Sequence, residues 1–328
     1  MRLTLLFALF CLDYRYGSSQ TKIHLGTPVI FDTDFGPDYD DVGAISLLHA
    51  FADSGYFKIL ATGASNRYNN ICAALSVFNT YFNRPKVPIG IVIGKAVELG
   101  NPQHWSDSVI AKYPHPVQSN DEVPDAVSVY RQQLARQPDR SVVIITVGFL
   151  TNMAHLLQSS PDAFSPLWGK DLVRKKVKEL VTMGGSFPKG KEFNISMDAA
   201  SSQYVYNYWP TPVIFTGFEI GMKIHCGLPL IHNQAILNDP VKDVFRISIP
   251  LAREDSMGRM SWDETAVLIA AKGWKPFYNA VRGRIVIFPD GSNSWDNSRK
   301  GDMYITEKVP PKVVQGLINK LLQHQPAK

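Results

Sequence analysis

Residues 31–44, FDTDFGPDYDDVGA, place five aspartates (Asp32, Asp34, Asp38, Asp40 and Asp41) directly after the apolar run Pro28-Val29-Ile30-Phe31. Carboxylates this close repel one another, and burial raises the cost because each charge loses its hydration. Two arrangements relieve it. Either a cation sits among them, or the segment is a solvated acidic turn in which Asp40 or Asp41 caps a helix. A cation here would be calcium or magnesium, since the cluster offers hard carboxylate oxygens and no Cys or His. The position at the end of a buried-strand pattern favours the cation.

Two later segments carry compatible chemistry. In GKEFNISMDAAS (190–201), Glu192, Asn194 and Asp198 could hold hydroxyl groups, because carboxylates and amides accept and donate in fixed directions. An ordinary loop capped into a helix by Asp198 is the plainer reading. The preceding MGGSFPKGK (183–191) lacks the Gly-Lys-Ser/Thr of a phosphate loop and reads as a tight turn. In GRMSWDETAVLIAA (258–271), Asp263 either adds a carboxylate to the metal or caps the following helix. Trp262 either offers a flat face to a ligand ring or packs at the helix base.

These residues need a frame. Apolar runs recur at 28–31, 58–63, 87–94, 141–148, 179–185 and 211–217, and helical patterns fall between them at 42–54, 69–82 and 125–137. Val- and Ile-rich strands alternating with helices predict an α/β fold: an open, mostly parallel sheet with helices on both faces. Sites on such sheets form at the carboxyl ends of the strands. That rule gathers Asp32–Asp41, Gly63–Asn66, Val147–Asn152, Met183–Asn194 and Gly217–Glu219 on one rim. The polar stretch 288–304, FPDGSNSWDNSRKGDMY, reads as a loop that could cover the pocket.

The 328 residues are 45% hydrophobic and 19% charged, as in a globular chain with a sizeable core, and the net charge of +5 is scattered. The one basic run, Arg174-Lys175-Lys176 with Lys178, has no interleaved aromatics and reads as a solvated helix face rather than a nucleic-acid patch. Met1-Arg2 followed by LTLLFALFCL has the form of a signal peptide over residues 1–20, too short to span a membrane. An exported protein with one domain over 21–328 is therefore expected. Cys11 would leave with the signal, so Cys72 and Cys226 would remain; Cys72, in an apolar helical stretch, reads as a buried thiol.

Taken in order, Asp32-Thr33-Asp34-Phe35-Gly36 with Asp40-Asp41, Ser65-Asn66, VGFLTNMAHL (147–156), MGGSF (183–187), EFN (192–194) and WDETAV (262–267) resemble the fingerprint of the inosine–uridine-preferring nucleoside hydrolases. The resemblance covers about residues 28 to 270. It implies the open, Rossmann-like α/β sheet of that family and a calcium-dependent hydrolysis of ribonucleosides to free base and ribose. Calcium would be held by Asp34, Asp41, the Val147 carbonyl and Asp263. Asp34 would be the catalytic base. Trp262 occupies the catalytic position where many members place a histidine that protonates the leaving base, and suggests a purine lean, with Trp105 or His104 as a second stacking partner. Asp40, Asn66, Met183, Glu192 and Asn194 fall at substrate-binding positions. The turn between Asp34 and Asp40 is two residues longer than the family pattern, so Asp38 could take the role given to Asp40. An asparagine expected near Pro188 is missing. The partner implied is a small nucleoside, with no nucleic acid and no membrane once the signal is removed; a homo-oligomer is allowed. An aspartate-nucleophile phosphohydrolase, or a nucleoside- or sugar-binding protein without turnover, are the rival readings.

Overall fold

The computed structural model describes residues 26–327; the expected signal peptide and Cys11 lie outside them. Among the described residues the strands are β1 (Thr27–Thr33), β2 (Phe57–Ala64), β3 (Ile89–Ile91), β4 (Val142–Thr146), β5 (Val177–Met183), β6 (Lys189–Lys191), β7 (Val213–Thr216), β8 (His225–Cys226), β9 (Arg259–Met260), β10 (Tyr278–Ile287), β11 (Ser292–Asp296) and β12 (Asp302–Glu307). Side chains alternate across a strand with period two. Val29, Phe31, Val143 and Ile145 therefore enter one core, and Ile30, Val142 and Ile144 the other. Strands apolar on both faces need helices on both faces, which explains the layering. Helices Asp40–Asp53, Ile71–Tyr81, Pro240–Ser248, Asp263–Lys272 and Pro311–Leu321 cover the first face. Helices Ala126–Ala135, Thr151–Gln158, Gly169–Lys176 and Ala199–Tyr208 cover the second.

The main sheet runs β3-β2-β1-β4-β5-β7-β12-β10-β11-β6. Strands β3 to β12 in that order are parallel, and β10, β11 and β6 extend the sheet antiparallel. From β1 the chain winds outward through β2 and β3, then returns to β4 on the other side of β1. This reversal opens a crevice at the carboxyl ends of β1 and β4. Asp34 follows β1 and Val147 follows β4, so both stand in that crevice.

All six expected strand runs form strands, the run 87–94 shortened to Ile89–Ile91. Helices Asp40–Asp53, Ile71–Tyr81 and Ala126–Ala135 match the three expected ones, and the Asp125 carboxylate caps the last by accepting from Val127 N–H. Residues 288–304 are a correction. They contain β11, which lies between β10 and β6, and the start of β12, which lies between β7 and β10, and none of them lines the crevice cavity. Cys72 and Cys226 are both free and buried. The basic run closes helix Gly169–Lys176 with partners at its surface: Arg174 pairs with Asp171, Lys176 with Asp139, and Lys178 on β5 with Glu179. No helix among the described residues is long and apolar enough to cross a membrane.

Candidate active site

The aspartates do not form a solvated turn. Asp32, Asp34, Asp40 and Asp41 are all at most 3% exposed, and helix Asp40–Asp53 starts from Tyr39 with no side-chain cap. Each carboxylate has its own assignment. Asp32, on the interior strand β1, turns toward the second face, where one oxygen accepts from the Tyr130 hydroxyl and from Asn152 Nδ2 at 2.8 Å. Asp41 accepts from the Thr33 hydroxyl. Asp40 is fully committed: Oδ1 accepts from Arg259 Nη2 at 3.0 Å, and Oδ2 from the main-chain N–H of Trp262 at 3.1 Å and of Asp263 at 3.3 Å. It therefore caps helix Asp263–Lys272 from across the chain, while Asp263 itself is the first helical residue and not a cap.

A cavity of about 240 Å³ opens over this cluster. Asp34, Asp38, Asp40, Asp41, Val147 and Asp263 line its floor, and Met183, Glu192, Phe193, Asn194, Phe218 and Trp262 its walls. A larger hollow of about 970 Å³ lies at the amino ends of β2 and β3, lined by Lys58, Arg84, Lys86 and Arg136. It has no carboxylate and lies on the wrong end of the sheet for this chemistry. In the smaller cavity, oxygens of Asp40, Asp41 and Asp263 come within 4.8 Å of one another. Because Asp40 already carries its donors, Asp34, Asp41 and Asp263 are the carboxylates left for a cation, with the Val147 carbonyl beside them. No N–H or O–H among the described residues donates to Asp263. An all-oxygen set in which the Asp34 and Asp263 side chains accept no hydrogen bond from the described residues fits a hard divalent ion.

The electrostatics agree. Burial first, then the charges of Asp41, Asp38 and Asp40, raise the Asp34 pKa well above the usual carboxylate range. Burial and the neighbouring Asp40 push Asp41 up to about 8. Asp263 is raised by burial, then by Asp40, Asp41 and Asp34. Protein alone leaves these groups short of positive charge, and a divalent ion would supply it.

The walls divide between polar frame and aromatic face. Glu192 accepts from Asn194 N–H at 2.7 Å and from the N–H groups of Gly185 and Ile195, both at 3.1 Å. It thereby caps the short helix Phe193–Met197 and fastens the glycine turn. Asn194 Nδ2 donates to the Val147 carbonyl at 3.1 Å and contacts Met183 Sδ at 3.4 Å, which leaves its Oδ1 free for a ligand donor. Asp198 does cap helix Ala199–Tyr208, as its plainer reading expects. Trp262 lines the cavity and stacks on Phe218 at 5.3 Å, but its indole N–H donates to the Phe218 carbonyl at 2.8 Å. It serves as a wall and has no proton for a leaving base.

Three expected residues fall elsewhere. Asn66 does not line the cavity. Its Nδ2 donates to the Asp34 and Leu99 carbonyls at 3.0 and 2.9 Å, and its Oδ1 accepts from Leu99 N–H, so it braces the Asp34 main chain. Trp105 is fully buried, edge-on to Phe35 at 5.2 Å. His104 pairs with Asp107 on a neighbouring cleft that shares only Phe193 with the cavity. The aromatic partners actually at the cavity are Phe193 and Phe218, 49% and 39% exposed. Sequence reading also missed Arg259, whose guanidinium meets Asp38, Asp40 and Asp255. A lone arginine 219 residues from Asp40 leaves no spacing signal.

A sequence model of the family described as inosine-uridine preferring nucleoside hydrolase matches residues 29–300. The pyrimidine-specific ribonucleoside hydrolase RihA of Shewanella sp. (strain ANA-3) is 25% identical over 241 residues, covering 70% of this chain and 67% of that relative. The non-specific ribonucleoside hydrolase RihC of Escherichia coli (strain SMS-3-5 / SECEC) is 30% identical over 222 residues, covering 64% of each. Among solved structures, a purine-preferring ribonucleoside hydrolase from Gardnerella vaginalis matches with a TM-score of 0.70 at 16% identity, over 90% of this chain and 99% of that one. That likeness concerns the fold alone.

Proposed function

Because the chain belongs to the inosine-uridine preferring nucleoside hydrolase family, we propose that it hydrolyses the N-glycosidic bond of ribonucleosides to free base and ribose, with calcium in the aspartate site. One observation carries the reading. Asp34, Asp41, Asp263 and Val147 line one cavity beside the sheet reversal, and its walls pair polar groups with aromatic faces. Asp34, Asp41, Asp263 and Val147 would hold the ion, which when bound offsets the clustered charge and acidifies an attacking water. Asp34 would take the proton from an attacking water as it adds to the anomeric carbon, the bonding pair would leave with the base, and solvent would protonate the departing base. The ring develops oxocarbenium character, and the floor carboxylates stabilise its positive charge. Asn194 Oδ1 anchors a sugar hydroxyl, and Glu192 keeps the loop that carries Asn194 in place.

A purine lean is part of the proposal, supported by the stacked Phe218–Trp262 pair as a broad face for a two-ring base. The relatives named as pyrimidine-specific and non-specific make base ranking the informative readout. Export through residues 1–20 belongs to the same proposal, and N-terminal sequencing of the mature protein checks it. The central test is chromatography of inosine, guanosine, adenosine, uridine and cytidine incubated with the protein, with and without a calcium chelator. Free base released only without chelator supports the reading. Intact nucleosides in both arms, with calcium bound, would sink it in favour of a binding protein.

A further inference from the structure

Six carboxylates line the cavity, and the hydrogen bonds show which of them is left for a ligand. Asp40 has both oxygens filled by Arg259 and by the start of helix Asp263–Lys272, and it is 3% exposed. Asp34, Asp41 and Asp263 are the ion's carboxylates, and Glu192 holds three main-chain N–H groups. Asp38 differs from all of these. Its side chain is 43% exposed, one oxygen meets Arg259, the other accepts from Tyr39 N–H at 2.9 Å, and each keeps a lone pair.

Arg259 makes this division. Its side chain is 7% exposed on β9, and its fork reaches Asp38, Asp40 at 3.0 Å and Asp255 at 3.5 Å. The guanidinium lies 5.0 Å from the Tyr39 ring and 5.1 Å from the Trp262 ring, and the Tyr39 hydroxyl donates to Asp255 at 2.5 Å. A planar donor fork held between aromatic rings fixes direction as well as charge, which a lysine cannot reproduce. Desolvation works against the charged guanidinium, but Asp40, Asp38 and Asp255 hold it ionised.

We propose that Arg259 is a positioning residue that fixes Asp40 as an internal strut and presents Asp38, on the lengthened turn, as the carboxylate that accepts a ribose hydroxyl. This rests on the nucleosidase reading. The test compares kcat/KM for inosine with its 2′-deoxy and 3′-deoxy analogues, in calcium, for the wild type, Asp38→Asn, Arg259→Lys and Asp40→Asn. The wild type should discriminate against at least one deoxy analogue by about tenfold to a hundredfold, the worth of a hydrogen bond to a charged group. Asp38→Asn, at an exposed position, should fold normally and lose most of that ratio. Arg259→Lys should lower both the thermal midpoint and the same ratio, whereas Asp40→Asn should lower the midpoint alone, so the loss of the ratio reports the positioning of Asp38 and not the loss of stability. Retained discrimination in Asp38→Asn, with collapse in Asp40→Asn, would overturn the assignment alone. A wild type that hydrolyses none of the three overturns the nucleosidase reading and this assignment with it.

Discussion

At the scale of single residues, the floor of the cavity is a set of acids waiting for a counter-charge. Asp41 is pushed to about 8 by burial and Asp40, and Asp34 and Asp263 are raised well above the usual range by burial and their neighbours. Without an ion Asp41 holds a proton near neutrality, so binding must release it. Calcium affinity should weaken at least tenfold from pH 8 to pH 6, with proton release measurable by calorimetry in buffers of different ionisation enthalpy. A flat affinity would mean that the ion sits elsewhere. Asp34→Asn should lower kcat by about 10²- to 10⁴-fold as the base is lost. Its thermal midpoint without calcium should hold or rise, because a repelled charge is removed. Which aspartate does what could not be read from the cluster alone. Asp40 and Asp41 are adjacent in the chain yet face a helix terminus and the cavity respectively, a division fixed by Arg259 and Trp262 from far along the sequence. The roles of Asn66 and Trp105 were likewise invisible, since a braced amide and a buried indole look like ligand contacts until their partners are known.

Between elements, the ion's carboxylates depend on two helices meeting. Helix Asp40–Asp53 brings Asp41, helix Asp263–Lys272 brings Asp263, and they touch where Gly43 faces Glu264. A Cβ at Gly43 would stand 2.0 Å from Glu264 Oε1. Glu264 is fully buried, with no solvent to swing into. Replacing a mid-helix glycine by alanine gains about 1 kcal/mol of propensity, but overpacking costs about 1–3 kcal/mol. Sterics should win. Gly43→Ala should lower the thermal midpoint by a few degrees and weaken calcium binding about tenfold, because the strain falls two residues from Asp41. Unchanged calcium affinity would show that the helices separate without moving their first turns. The parallel strands β1 to β5 and β7 were legible because continuous apolar runs are the mark of strands buried on both faces, whereas the start of β12, parallel to β7, was read as part of a loop. The strands β10 and β11 were not legible either. In β10, Arg282 and Arg284 interrupt the apolar run, and SNSWD in β11 has one large apolar residue, as suits antiparallel strands with a solvated side.

Across the whole molecule, the two cores on either side of the sheet set the pH range in which the site survives. On the first face, His49 of helix Asp40–Asp53 is fully buried, stacked on Phe82 at 4.8 Å, with Nε2 at 3.0 Å from Asn79 Oδ1. Asn79 Nδ2 in turn donates to Thr62 on β2 at 3.1 Å, so one chain of bonds ties two helices to the sheet. Burial first, then the positive Arg84, lower the His49 pKa from 6.5 to about 3. The unfolded chain therefore takes up this proton before the folded one. The contribution of His49 to stability is complete above about pH 6.5 and is lost as pH falls toward 3. At pH 4.5 the loss is about 3 kcal/mol, a large share of the roughly 5–15 kcal/mol that holds a domain together. The raised cavity acids act oppositely without an ion, gaining stability as pH falls, so the wild-type profile is a difference of two slopes. His49→Gln separates them, since it keeps a hydrogen-bond donor toward Asn79 and removes only the titration. Denaturant unfolding at pH 7 and pH 4.5 should show the wild type losing about 3 kcal/mol more than His49→Gln over that interval. Equal losses would mean that the ring accepts a proton inside the folded core, and acid sensitivity would then have to originate in the carboxylate cluster itself.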